Sequence, residues 1–180
     1  LEELHAEGQL FEFFAHAVCL LPIEDYPLFR ALMLEKFIGW NNIRDWGKEN
    51  AVMLDQILSH IHQNGAVRSS DFESKQPRGA WWDWKVEKVA LEHLYYRGDL
   101  MIARRERFQR VYDLRERVLP AWDDTQAPEY PAAVQELTRK AVKALGIASN
   151  TWAANYFYLK KAEAAAAIAQ LLAEGAIHPV

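Results

Sequence analysis

The sequence predicts a mainly α-helical fold with short β-hairpins, which places the chain in the α+β class. Three observations support this prediction: apolar residues recur at helical spacing, glycines follow those stretches, and short hydrophobic runs follow the glycines. Glycine suits the left-handed backbone that ends a helix, and a short hydrophobic run suits a strand. Because 51% of the 180 residues are hydrophobic, the chain can bury a sizeable core.

One phrase of this kind occurs three times along the chain. Residues 1–14 read LEELHAEGQLFEFF, residues 91–104 read LEHLYYRGDLMIAR, and residues 168–180 read IAQLLAEGAIHPV. Each copy is the end of a helix followed by a glycine, which is Gly8, Gly98 or Gly175, and then by a hydrophobic run. Such repetition indicates a repeated structural unit.

The middle copy is preceded by a full set of elements. A helix ending at Gly65 is predicted by four apolar residues at positions i, i+3, i+4 and i+7, namely Leu54, Ile57, Leu58 and Ile61. Ala66-Val67 fits a minimal strand. Ser70 and Glu73 have the spacing of a capping box, so a short helix is predicted around Phe72.

A longer helix and a hairpin complete this unit. The helix is predicted from about Asp83 to Arg97, after a loop that contains proline and glycine. The hairpin has apolar runs at residues 100–103 and 108–114, separated by Arg104-Arg105-Glu106-Arg107. We therefore expect the arginines in the turn and the flanking strands packed inward.

The third copy follows the same order. A helical stripe ends at Gly146, and its members are Val134, Leu137, Ala141 and Leu145. The stretch SNTWAANYF from Ser149 predicts a second, short helix, and residues 161–174 predict a third one. Residues 119–131 are rich in proline and acidic residues, as linkers are.

Helix, minimal strand, helix, helix and hairpin is the order of a winged helix-turn-helix, whose third helix can enter the major groove beside a hairpin called the wing. The sequence therefore predicts tandem winged helix-turn-helix modules. We assign residues 1–45 to the tail of a first module with a connecting helix, 46–118 to a complete second module, 119–131 to a linker, and 132–180 to a third module truncated at its wing. Since the chain begins within a helix, we interpret it as a piece of a longer protein.

The charge of the chain is unevenly distributed. The net charge is −4, yet residues 65–118 hold twelve Lys and Arg against nine Asp and Glu, while residues 1–64 hold four against ten. A local positive field, more than total charge, decides how a protein meets a phosphate backbone. The positive segment contains the arginine-rich hairpin.

Several function classes lack their signatures in this sequence. Cys19 is the only cysteine, and the six histidines show no metal-binding spacing. No Gly-x-Ser-x-Gly, phosphate-binding loop or dinucleotide fingerprint is present. No apolar run approaches the roughly 18 residues of a membrane span. We expect no metal, no cofactor and no membrane contact, and a cytoplasmic setting.

Two readings of the positive segment stay open at this point. The hairpin arginines could pair with phosphates, or they could form a solvated turn with nearby carboxylates as partners. The tryptophans in SKQPRGAWWDWK could stack on bases or could cap the core. On the third helix, Lys85, Lys88, Glu92 and Tyr95 share one face, which we expect to be exposed to a groove. The candidate DNA-binding residues are Arg68, Ser69, Lys75, Arg78, Trp81, Trp82, Trp84, Lys85, Lys88, Arg104, Arg105, Arg107, Gln109 and Arg110.

The sequence resembles the YcaQ-like, AlkZ-type DNA glycosylases that repair interstrand crosslinks. Four stretches carry the resemblance: GQLFEFFAHAVCLLP at residues 8–22, GAVRSSDFE at 65–73, GAWWDWKVEKVALEHLYYRGDLMIARRERFQRVYDLRERVLP at 79–120, and LGIASNTWAANYFYLK at 145–160. The third stretch joins a Trp-Trp-x-Trp loop to the hairpin and is the most specific. Val86 stands where the family often has proline.

The resemblance implies three tandem winged helices and a β-rich domain, with duplex DNA, and damaged DNA in particular, as the partner. It implies a monomer in the bacterial cytoplasm, associated with the nucleoid. It also implies hydrolysis of the N-glycosidic bond of N7-alkylated purines, including crosslinked ones. Family catalysis depends on a Gln-aliphatic-Asp/Gln motif upstream of the region matched here, and in this chain Gln9-Leu10 runs on into Phe11. No catalytic residue is therefore assigned to this chain, and His16 is a possible pocket residue whose role stays open.

Two alternatives to an enzyme remain. The chain could belong to a non-catalytic winged-helix DNA-binding or regulatory protein, although no sensor domain or dimerisation helix is visible in the sequence. It could also use its winged helices for protein contacts alone.

Overall fold

A computed structural model describes residues 2–35, 41–72 and 86–180 of the chain. These residues form helices and two short antiparallel strand pairs, which confirms the predicted mainly α fold with β-hairpins. Within these ranges, no helix has the length and apolar character that crossing a bilayer requires. The chain divides into two compact units, one of residues 1–11 and 36–122 and the other of residues 12–35 and 123–180.

The described residues form helices and four short strands. In chain order they are α1 (Glu2–Ala6), β1 (Leu10–Phe14), β2 (Val18–Pro22), α2 (Tyr26–Glu35), α3 (Asn41–Glu49), α4 (Ala51–Asn64), α5 (Val86–Arg97), β3 (Leu100–Glu106), β4 (Gln109–Leu114), α6 (Arg115–Val118), α7 (Tyr130–Leu145), α8 (Asn150–Tyr156) and α9 (Lys161–Ala173). Single 3₁₀ turns lie at Ile23–Asp25, Ser69–Asp71 and Asp124–Gln126.

The three repeated phrases end their helices in the same way. Gly8, Gly98 and Gly175 have φ angles of 72°, 81° and 70°. In each copy the glycine N–H donates to the carbonyl three residues earlier, and the next N–H donates to the carbonyl five residues earlier. This is the Schellman arrangement, which satisfies carbonyls that a helix end leaves without partners. A strand follows the first two glycines, and none follows Gly175 up to residue 180.

In the first unit, α4, α5 and the β3–β4 hairpin pack together. The predicted α4 stripe is confirmed, because Leu54, Ile57 and Ile61 are buried. Val67, the minimal strand of the prediction, exchanges backbone hydrogen bonds of 2.8 and 2.9 Å with Tyr112 of β4. α4, the Val67 bridge, α5 and the hairpin thus follow one another in the predicted order, while their assignment to a winged helix stays a prediction.

The connection after Val67 differs from the predicted helix around Phe72. A 3₁₀ turn covers Ser69–Asp71, and Asp71 accepts hydrogen bonds from the Arg68 backbone and guanidinium. Ser70 therefore lies inside the turn and is not its N-cap. Glu73, the other half of the predicted capping box, lies outside the described residues.

The hairpin turn lies further along the chain than the sequence predicts. β3 and β4 pair from Leu100 with Leu114 to Glu106 with Gln109, with a bulge between Ile102 and Arg104. The turn therefore consists of Arg107 and Phe108 alone, and the turn predicted at residues 104–107 is wrong. A strand needs paired backbone groups rather than apolar side chains, so β3 continues three residues beyond its apolar run.

In the second unit, α7 packs against α2, α8 and α9. Phe29 of α2 lies at the centre, with ring centroids 6.0 Å from both Phe13 and Phe157. The predicted α7 stripe is buried at Val134, Leu137 and Ala141. The helix predicted from Ser149 is also confirmed, and its Ser149 hydroxyl caps α8 by accepting from the Trp152 N–H.

Candidate nucleic-acid interface

The tip of the β3–β4 hairpin presents exposed guanidinium groups. Arg104, Arg105 and Arg107 are exposed, and Arg105 Nη1 donates to the Phe108 carbonyl at 3.0 Å. Arg104 pairs with Glu106 at 2.7 Å. No ion pair or side-chain hydrogen bond joins Arg107 to any other residue that the structure describes. Guanidinium groups offer a planar fork of donors that matches phosphate oxygens.

The base of the tip is fixed to the Ser69–Asp71 turn. Arg68 bridges Asp71 at 2.8 Å and Glu106 at 3.1 Å, and the Ser70 hydroxyl donates to Gln109 Oε1 at 3.1 Å. The hydrogen bond from Arg68 holds the pKa of the Asp71 carboxyl below its usual range. Ser69 is half-buried and Gln109 is exposed beside this turn. Of the predicted site residues, the structure therefore brings Arg68, Ser69 and Gln109 close to the hairpin arginines.

Arg110 differs from the other hairpin arginines, because its guanidinium points into the unit. Its Nη1 donates to Glu92 of α5 at 2.7 Å, and its Cζ lies 5.4 Å from the ring centroid of Tyr95. Burial by itself lowers the pKa of Arg110, but Glu92, Tyr112 and Tyr95 together outweigh it and the pKa is raised. Arg110 is thus a permanently charged partner of a buried carboxylate.

The prediction that one face of α5 is exposed is wrong for Glu92 and Tyr95. Glu92 and Tyr95 are only 5% and 1% exposed. They are buried because α5 packs against α3, α4 and β3, and because Glu92 accepts hydrogen bonds from Arg110 and Tyr112. Lys88, one turn earlier, is half-buried. Sequence periodicity cannot reveal a helix that is covered on several sides.

The tryptophan-rich loop lies outside the described residues. This applies to the predicted site residues Lys75, Arg78, Trp81, Trp82, Trp84 and Lys85. Their contact with nucleic acid stays a prediction.

His16 lies in the short connection between β1 and β2. Its side chain is exposed, and its Nδ1 atom lies 3.2 Å from the carbonyl oxygen of Asn155. Both residues belong to the second unit. No group of three or more His, Cys, Asp or Glu side chains that could hold a metal ion occurs in the described part of the chain.

The chain that carries this hairpin matches the model of a known protein family. The model of the family described as DNA glycosylase AlkZ-like matches residues 1–180, which is the whole chain. The chain belongs to the AlkZ-like DNA glycosylase family. Such glycosylases act in DNA repair, where they hydrolyse the bond between a base and its sugar. No solved structure matches the chain significantly.

One exposed hairpin residue of this AlkZ-like chain is not among the site residues that the sequence predicts. Phe108 was assigned to the inward-packing second strand, yet it lies at the hairpin tip and is 91% exposed. Its φ of 66° and that of 49° at Arg107 place two residues with side chains in the left-handed region. The only local indication of an unusual turn is an absence, because the segment lacks the Asn or Gly that two-residue hairpin turns prefer.

Proposed function

We propose that this chain is the duplex-binding part of a DNA repair glycosylase that releases N7-alkylated purines and unhooks interstrand crosslinks. The match of the AlkZ-like family over the whole chain is the observation that carries the proposal. The catalytic motif of that enzyme would precede the region matched here. The residues of this chain would then supply binding energy and position rather than chemistry.

The charges around the hairpin support contact with a phosphate backbone. Among the described residues at the tip end of the hairpin, four arginines, at positions 68, 104, 105 and 107, lie with two carboxylates, Asp71 and Glu106. The excess of positive charge is at the exposed tip, because Glu92 faces Arg110 at the buried end. Each guanidinium that meets a phosphate displaces condensed counterions, so such binding weakens as salt rises.

A rigid binding surface would serve a glycosylase in a specific way. Enzymes that act on a base inside a duplex take it out of the stack, which costs about a few kcal/mol. Contacts with the flanking phosphates supply that energy and fix the register of the protein on the duplex. The contacts of Arg68 with Glu106 and of Ser70 with Gln109 hold the hairpin in one position for this task.

Base release tests the enzymatic part of the proposal. The full-length protein is incubated with duplex DNA that contains one N7-methylguanine, and the free base is measured by liquid chromatography. Release from this duplex, and none from the same duplex with unmodified guanine, is the expected result. Binding without release would favour the alternative of a non-catalytic DNA-binding protein.

Fluorescence anisotropy tests the binding part separately. The 180-residue chain is titrated against a labelled duplex at several salt concentrations. We expect affinity that falls steeply with salt. Absence of binding at low salt would favour a module used only for protein contacts.

A further inference from the structure

The hairpin tip carries a large apolar side chain that nothing in the described chain covers. Glu106 pairs with Gln109, so Arg107 and Phe108 form the whole connection between β3 and β4. The Phe108 ring belongs to a side chain that is 91% exposed. Burying a phenylalanine is favourable by about 1.5–3 kcal/mol, and this residue gains almost none of that within the chain.

The backbone of the turn is also unfavourable for the residues it holds. Both Arg107 and Phe108 have positive φ, which residues with a Cβ adopt only at a cost. Asn-Gly would satisfy the same two positions without strain. Strain at an exposed turn, together with an uncovered aromatic ring, points to a role outside the stability of the chain.

The turn is held in place on both of its sides. Glu106 accepts from Arg68 and Arg104, Gln109 accepts from Ser70, and the Phe108 carbonyl accepts from Arg105. These contacts join the ends of both strands to the Ser69–Asp71 turn and to each other. The backbone that carries the ring is therefore linked to the Ser69–Asp71 turn.

The surroundings of the ring indicate the chemistry of its partner. Arg105 and Arg107 are exposed on the same tip, so the partner carries negative charge close to an apolar slot that admits a flat ring. Duplex DNA combines these features, since phosphates line both edges of a groove whose floor is a stack of aromatic bases. Apolar side chains that enter from the minor groove are known to separate base steps and kink the duplex.

We propose that Phe108 inserts between adjacent base pairs when the tip arginines meet the flanking phosphates. This inference rests on the proposed DNA-binding function and adds an unstacking residue to it. The inserted ring would occupy space in the stack beside a displaced nucleotide, and thereby keep the damaged site open.

The test uses a duplex with an abasic-site analogue, which fixes the register, and 2-aminopurine in the adjacent base pair. The fluorescence of 2-aminopurine rises when its stacking is lost. We expect the unchanged chain, at saturating concentration, to raise the fluorescence. Phe108→Ala should abolish the rise and bind roughly 5- to 100-fold more weakly. Phe108→Trp should restore the rise. Tyr158→Ala is the matched control, because Tyr158 is 69% exposed and has a φ of 57° but lies in the second unit.

The possible outcomes distinguish the insertion of Phe108 from the proposed DNA binding on which it rests. Binding by the chain with no fluorescence rise, or an equal rise with Phe108→Ala, overturns the insertion and leaves DNA binding standing. Absence of binding to any duplex overturns both. The chain could instead sediment with anionic phosphatidylglycerol vesicles in a way that depends on Phe108, without any fluorescence rise. That outcome would make a lipid surface, and not duplex DNA, the partner of Phe108. An unchanged melting temperature of Phe108→Ala shows that lost signal does not come from unfolding.

Discussion

Gly47 of α3 lies directly against the imidazole ring of His93 in α5. A Cβ built on Gly47 would fall 2.0 Å from Cε1 of His93 and within 2.5 Å of both ring nitrogens. His93 is itself 5% exposed, and its Nδ1–H donates to the Ile43 carbonyl at 3.0 Å. The absence of a side chain at position 47 therefore lets α3 and α5 approach each other.

Overpacking a buried contact costs about 1–3 kcal/mol, because the helices or the ring must move. Alanine returns about 1 kcal/mol in a helix interior, so Gly47→Ala should lower the free energy of unfolding by up to about 2 kcal/mol. Urea unfolding of the 180-residue chain measures the change. In the His93→Ala background the same substitution should be neutral or stabilising, and an equal loss in both backgrounds would contradict the contact.

His93 should also make stability depend on pH. Burial holds the pKa of His93 below its ordinary 6.5. The hydrogen bond to the Ile43 carbonyl opposes this shift, Arg97 lowers the pKa further, and Asp99 raises it. The unfolded chain therefore binds more protons than the folded chain between the lowered pKa and about 6.5. The contribution of His93 to stability is present above pH 6.5 and is lost as the pH falls through this window, by up to about 1.4 kcal/mol per pH unit. Urea unfolding from pH 7.5 to 5 measures the slope, and His93→Gln should reduce it; identical slopes would sink the assignment.

Local patterns in the sequence were sufficient to predict most helices. The stripe of Leu54, Ile57 and Ile61 predicts α4 because a helix buries one face, and that face is buried. The glycines of the three repeated phrases predict helix ends because left-handed backbone favours glycine at that position. Both signals depend on residues that are close in the sequence.

The features that the sequence did not reveal depend on distant contacts. The bulge after Ile102 shifts the pairing of β3, so no alternation of side chains could place the turn at Arg107 and Phe108. Arg117 donates to the carbonyl of Ile61, 56 residues earlier, and so satisfies the end of α4. Glu92 is buried because Arg110 reaches it from β4, which a helical-wheel argument on α5 cannot include.

The Glu92–Arg110 pair should be a structural contact rather than a DNA contact. Arg110→Met or Glu92→Leu alone leaves a buried charge without its partner and should lower the free energy of unfolding by about 2–4 kcal/mol. The double variant should lose much less than the sum of the two. Chemical denaturation of the four proteins gives the coupling, and additive losses would show that the pair contributes nothing.

The exposed arginines should act on affinity far more than on the stability of the chain. Replacing Arg105 and Arg107 by alanine should reduce the slope of log K against log salt concentration by roughly 1–2, at about 0.9 for each lost phosphate contact. Anisotropy titrations measure the slope, and the melting temperature should change little. Arg139→Ala combined with Lys143→Ala is the control, because it also removes two positive charges, both from α7 in the second unit. An equal effect of both changes would point to net charge rather than to the hairpin.

The last prediction concerns the competition between stability and function at the hairpin tip. Replacing Arg107-Phe108 by Asn-Gly installs the pair that such turns prefer, because asparagine tolerates left-handed backbone and glycine has no Cβ. The free energy of unfolding should rise by about 1–2 kcal/mol, since a residue with a Cβ costs roughly that much in this conformation and neither side chain is buried. Thermal and urea unfolding measure the gain. The same variant should lose the 2-aminopurine response, whereas Arg107→Asn alone, which keeps the ring, should retain most of it. If the Asn-Gly protein were less stable, the two side chains would be contributing to the fold, and the strain would need no functional explanation.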